Sequence, residues 1–187
     1  ASLLLGTNKT AAPSGALLVF NLDGTLRQRI THLDRPNNVD VEYGLTVGGA
    51  SVDIAVLTER YAHALRIYRI PADGGELTLL GTVPVFEGQT GEQAEPMGIS
   101  LYRRPADGAI FAIVGRKTGP KSGYLWQYRL EDDGKGGVRG TKVREFGNYS
   151  GDGEIEAIAV DDALGTVYYA DEALGIHKWA ADPDGPD

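Results

Sequence analysis

Four times along the chain a short apolar run stops abruptly on a charged side chain, and the stops are almost evenly spaced. Leu3-Leu4-Leu5 leads to Lys9, Val52-Asp53-Ile54-Ala55-Val56 to Arg60, Phe111-Ala112-Ile113-Val114 to Lys117, and Val167-Tyr168-Tyr169-Ala170 to Glu172. Successive stops lie 51, 57 and 55 residues apart. After each comes a second strand-like run closed by an Asp-Gly turn, at 17–24, 65–74, 124–134 and 176–185. Ahead of the last three stops lies a further strand candidate, at 39–43, 99–102 and 155–160. Strand, turn, strand, turn, strand at this period is the pattern of propeller blades, which bury their faces against one another. Helical periodicity is weak throughout, and 62–69 is too short to argue for a helix. The pattern predicts an all-β chain, a β-propeller of antiparallel blades. A sandwich of unrelated strands is the alternative.

Composition agrees with many short strands. The 187 residues include 26 Gly and 9 Pro, and 42% are hydrophobic, which supplies both turns and a core. A net charge of −8 argues against nucleic acid, whose phosphates need a basic face. Zero cysteines exclude disulfides, thiol nucleophiles and Cys-based zinc sites. No run of 18 apolar residues exists to span a membrane, and no basic n-region with a cleavage site opens the chain. No opening strand precedes Leu3, and the chain stops at Asp187 in an acidic Gly/Pro turn. Both ends therefore read as cuts, leaving about four blades of an incomplete ring.

The segment Asn37-Asn38-Val39-Asp40-Val41-Glu42-Tyr43 resembles the second signature of the β-propeller phytases, Asn-Asn-Val-Asp-Val-Arg-Tyr. Thr7-Asn8-Lys9, Val52-Asp53-Ile54-Ala55, Arg60, Gly98-Ile99-Ser100-Leu101-Tyr102 and Lys142-Val143-Arg144-Glu145-Phe146 follow in family order. So do Glu156-Ala157-Ile158-Ala159-Val160-Asp161-Asp162, Tyr169-Ala170-Asp171-Glu172 and Ile176-His177-Lys178-Trp179. The resemblance covers almost the whole chain. It implies one propeller domain over 1–187, six-bladed when complete with four-stranded blades, hydrolysing calcium phytate. It further implies a secreted or periplasmic bacterial enzyme, monomeric when complete, with no nucleic-acid or membrane partner. The family's first signature and last blades, which carry calcium-binding carboxylates, have no counterpart here. Within the chain, Glu42 replaces the usual Arg, and Met97 stands where the family usually has a site tyrosine.

The resemblance assigns Lys9, Arg60 and Lys117 to phosphate binding. The residue types suit that task, since Arg grips two oxygens with a planar fork and Lys supplies a point charge. Read without the family, they are three solvated charges at loop ends. Glu156 and Glu172 are assigned to catalytic calcium, with several ions expected, and Asp171 is a further candidate. Val39 is assigned a backbone carbonyl on a structural calcium, and Asp40 the bracing of that loop or of the metal cluster. Alone, 37–40 after Pro36 reads as a turn. The chemistry implied is attack by metal-activated water, with Glu156, Lys117 and Arg60 at the reacting phosphate. Two alternatives stay open: a propeller that binds ligand or protein without turnover, and a lactonase-like calcium propeller. His32, His63 and His177 share no metal-like spacing, no Arg-His-Gly motif exists, and Trp126, Tyr128 and Trp179 read as core.

Overall fold

The computed structural model describes residues 2–185; the end of the expected turn at Asp187 lies outside them. Fourteen strands form four antiparallel sheets that follow one another in chain order. The first sheet holds β1 (Leu3–Thr7), β2 (Gly15–Asn21) and β3 (Leu26–Leu33). The second holds β4 (Pro36–Val47), β5 (Ala50–Glu59), β6 (Ala64–Ile70) and β7 (Thr78–Pro84). The third holds β8 (Pro96–Arg103), β9 (Ile110–Arg116), β10 (Ser122–Asp132) and β11 (Val138–Asn148). The fourth holds β12 (Ile158–Asp161), β13 (Thr166–Asp171) and β14 (Gly175–Ala180). Within every sheet, strands pair only with their sequence neighbours, and β4, β8 and β12 lie side by side as the inner strands. This is the layout of successive propeller blades. The two inner blades are four-stranded as expected; the two outer sheets have three strands among the described residues.

The core explains why the apolar runs were so clear. Three buried clusters occupy the three gaps between the four sheets. Strand β5 sends Ala55 and Leu57 into the first gap and Ile54 and Val56 into the second. Strand β9 likewise sends Ile110, Ala112 and Val114 one way and Phe111 and Ile113 the other. A strand buried on both faces reads as a continuous apolar run rather than an alternating one. Trp126 and Tyr128 fill the second gap, where Trp126 packs 5.1 Å from the Phe86 ring and the Tyr128 hydroxyl accepts from the Phe86 N–H.

Candidate functional site

The strands β1, β5, β9 and β13 end in the same way, because the repeat places equivalent residues at their tips. Lys9 follows β1, Arg60 follows β5, Lys117 follows β9 and Glu172 follows β13. The residue just before each tip braces the blade. Asn8 Oδ1 accepts from the N–H groups of Thr10 and Ala16, at 3.3 and 2.9 Å. Glu59 accepts from the Asp34 N–H and pairs with Arg66. Arg116 donates to the carbonyls of Tyr124 and Gly123 at 2.9 and 3.0 Å. Asp171, only 1% exposed, accepts from the Ser150 N–H and hydroxyl and from the Ala173 N–H. Burial pushes the Asp171 carboxyl up, yet these hydrogen bonds outweigh it and hold the group below its ordinary range.

The inner strands bring their own row of side chains to this rim. Pairing of Pro36 with Glu59 and of Pro96 with Arg116 aligns β4 with β8, and both ladders then shift by a bulge before Val39 and Ile99. A bulge inserts a residue and re-aims the side chains around it. Asn37, Met97 and Glu156 therefore occupy equivalent places. Glu156 was expected at the head of a strand over 155–160; instead it lies before β12, which starts at Ile158. Its carbonyl oxygen is occupied by contacts to β4 and β8 rather than by a ladder partner. Asn38 Nδ2 donates to that oxygen at 3.3 Å, and a Cβ at Gly98 would lie 2.3 Å from it.

The resulting cluster joins residues far apart in sequence. Lys9 Nζ donates to Glu156 Oε1 at 3.1 Å, and Asn37 Nδ2 donates to the same oxygen at 3.4 Å. Burial pushes the Glu156 carboxyl up, but the hydrogen bonds of Lys9 and Asn37 and the charges of Lys9 and Lys117 outweigh it. The group titrates below its ordinary value of 4.5. A carboxyl so depressed favours the fold above 4.5, and that contribution fades as pH falls through the lowered value. Lys9→Met should shift the Glu156 carboxyl upward in calcium-free buffer, as read from its side-chain carbon resonance over a pH titration. A midpoint that stays put would dissolve the pairing.

Beside this pair, Arg60 Nε donates to Glu95 Oε2 at 2.6 Å, and Lys117 Nζ pairs with Glu154. Glu172 Oε2 accepts from the Glu154 N–H at 2.8 Å. Thus Lys9, Arg60, Lys117, Glu156 and Glu172 share one rim. Asp40 lies lower, with its carboxylate accepting from Val41, Ser100 and Leu101 so that β4 is tied to β8. Val39 and Asp40 line a groove of about 440 Å³ between the inner strands, with Glu42 and Asp162 farther along it. Burial raises the Glu42 carboxyl. Met97 is 2% exposed, and its carbonyl accepts from the Thr58 hydroxyl at 2.7 Å. His177 stacks on Tyr169 at 4.7 Å, with its Nε2 3.9 Å from the Asp171 carboxylate.

Three rim residues escaped the reading of the sequence: Arg35, Glu95 and Glu154. The available signal was positional, since Arg35 and Glu95 each stand directly before the proline that opens an inner strand.

The family model described as Phytase matches residues 1–187. The 3-phytase of Bacillus subtilis (strain 168) is 36% identical over 186 residues, covering 98% of this chain and 45% of that protein. The chain thus spans less than half the length of that curated relative. Among the described residues no helix is long and apolar enough to cross a membrane. Matched along its full length by the family model, the chain belongs to the phytase family.

Proposed function

We propose that this chain forms the phosphate-binding rim of a calcium-dependent phytase, a secreted or periplasmic enzyme that releases phosphate from phytate. The observation that carries the reading is the convergence of Lys9, Arg60 and Lys117 with Glu156 and Glu172 on one rim, in a chain of this family. Phytate is a dense polyanion, and a site for it needs several cations in fixed positions. Arg60 grips two oxygens of one phosphate; Lys9 and Lys117 neutralise charge building on the equatorial oxygens. A second phosphate on a neighbouring cation orients the scissile one.

Calcium fits the donors in kind, since Glu156 and Glu172 offer carboxylate oxygens to catalytic ions and Val39 a carbonyl to a structural one. No three His, Asp or Glu side chains close into a cage among the described residues, so these donors would make up only part of a calcium ion's oxygen shell. Bound there, calcium would supply a Lewis acid and a water acidic enough to attack phosphorus near neutral pH. In this reading Asp171 and Asp40 act chiefly by bracing: Asp171 fixes the turn that carries Glu172, and Asp40 holds the β4–β8 seam beneath Val39.

The test is phosphate release from phytate in excess calcium and again with EDTA. Release that EDTA abolishes is the expected result. Phytate bound without release would indicate a binding module, and opening of lactones with phytate untouched a lactonase-like enzyme. Lys117→Ala should raise KM about tenfold, the scale of one charge-assisted contact, with a smaller change in kcat. An unchanged KM would remove Lys117 from the site.

A further inference from the structure

The rim carries a second repeating device, built from the three residues that precede the inner strands. Arg35, Glu95 and Glu154 each use their carbonyl to accept the N–H of the tip residue in their own blade. These bonds run from Arg60 at 3.1 Å, from Lys117 at 2.9 Å and from Glu172 at 3.2 Å. Each also turns its side chain back to the tip of the preceding blade. Arg35 Nη1 donates to the Lys9 carbonyl at 3.1 Å, Glu95 accepts from Arg60, and Glu154 pairs with Lys117. Backbone and side chain thus link Lys9, Arg60, Lys117 and Glu172 in a continuous row.

Glu95 is the member that holds the charged group of one cation of the proposed site and the backbone of the next. Its carboxylate takes Nε of Arg60, in a pair whose side chains are only 10% and 17% exposed. The Arg60 guanidinium also lies 5.6 Å over the Tyr61 ring, with Arg35 5.7 Å from the same ring. A guanidinium held through Nε and stacked on a ring has its plane fixed, and its terminal nitrogens remain for a ligand. No hydrogen bond to either Nη of Arg60 forms among the described residues. The other bond, from the Lys117 N–H to the Glu95 carbonyl, sets where the next cation starts.

We propose that Glu95 is a positioning residue that sets the plane of Arg60 and its spacing from Lys117, so that both cations engage one polyanionic ester. The proposal rests on the phosphate-binding reading above. It also predicts a sign that simple charge does not. A carboxylate beside a polyanion site repels the ligand, so removing it should tighten binding if Glu95 were a bystander. Positioning demands the reverse, because an unheld Arg60 must be ordered during binding.

The experiment titrates the chain calorimetrically with inositol hexasulfate in calcium buffer, a polyanion with no phosphate to release. Glu95→Ala should weaken binding about tenfold. Glu95→Gln, which keeps an oxygen for Nε, should recover most of the loss and guards against a misfolded alanine variant. In an Arg60→Ala background the Glu95→Ala effect should largely vanish, as coupled residues require. Without ligand, the Arg60 Nε–H proton resonance should be protected in the wild type and in Glu95→Gln, and exchange-broadened in Glu95→Ala. Equal or tighter binding by Glu95→Ala overturns this proposal alone. A wild-type chain that ignores the hexasulfate overturns the phosphate-binding reading and this proposal with it.

Discussion

Glu156→Gln is expected to lower calcium-dependent phosphate release from phytate by at least about a hundredfold, the loss typical when one preorganised charge is removed from a reacting centre. The amide has the same shape and can still accept from Lys9 Nζ and Asn37 Nδ2, which hold Oε1 at 3.1 and 3.4 Å. The fold should therefore survive, and the loss should appear as weaker calcium binding by calorimetry together with lost turnover. What Gln cannot provide is the carboxylate's negative charge, which holds calcium more tightly than a neutral amide oxygen does. Retained activity with unchanged calcium affinity would take Glu156 out of the reaction.

Gly98→Ala should reach the same carboxylate from behind, by moving the segment that carries it. The added Cβ would lie 2.3 Å from the Glu156 carbonyl oxygen and 2.9 Å from its carbon, and both are backbone atoms that cannot swing away. Overpacking of this kind costs about 2 kcal/mol, a fall in Tm of roughly 4–8 °C for a chain of this size. Turnover should fall beyond what stability alone explains, because Glu156 would leave the reach of Lys9. Gly6→Ala is the control, as nothing lies within 4 Å of its would-be Cβ. Scanning calorimetry beside the phosphate assay separates the cases, and a Gly98→Ala protein matching wild type in both would refute the close approach.

Residues of the rim were legible in the sequence to the degree that burial wrote a pattern. Arg60 and Lys117 stood out because β5 and β9 are apolar on both faces and then stop on a charge. The outermost strands were not located by the repeat. Strand β3, Leu-Arg-Gln-Arg-Ile-Thr-His-Leu, has mostly exposed and half-buried positions, and β11 mixes Arg, Lys and Glu with Gly, so neither alternates cleanly. The start of β12 was read three residues early because Ile155 is buried and continues the apolar rhythm. The chain there leaves its ladder to pass Gly98, a tertiary contact with no local signature. Arg35, Glu95 and Glu154 were hidden for a different reason. Their places repeat while their residue types do not, and the proline that follows Arg35 and Glu95 gives way to Ile155 after Glu154.

The two strands wedged between neighbouring cores have a consequence for how such a molecule can change. Their apolar grip on the protein lies below the tip, in side chains shared by two gaps. At the tips of β1, β5, β9 and β13 the repeated scaffold displays Lys, Arg, Lys and Glu in turn, with Glu95 and Glu154 matching the charge of Arg60 and Lys117. Each tip is in effect a socket, and swapping its occupant together with the charged neighbour that holds it retunes what the rim attracts while the apolar architecture underneath goes untouched.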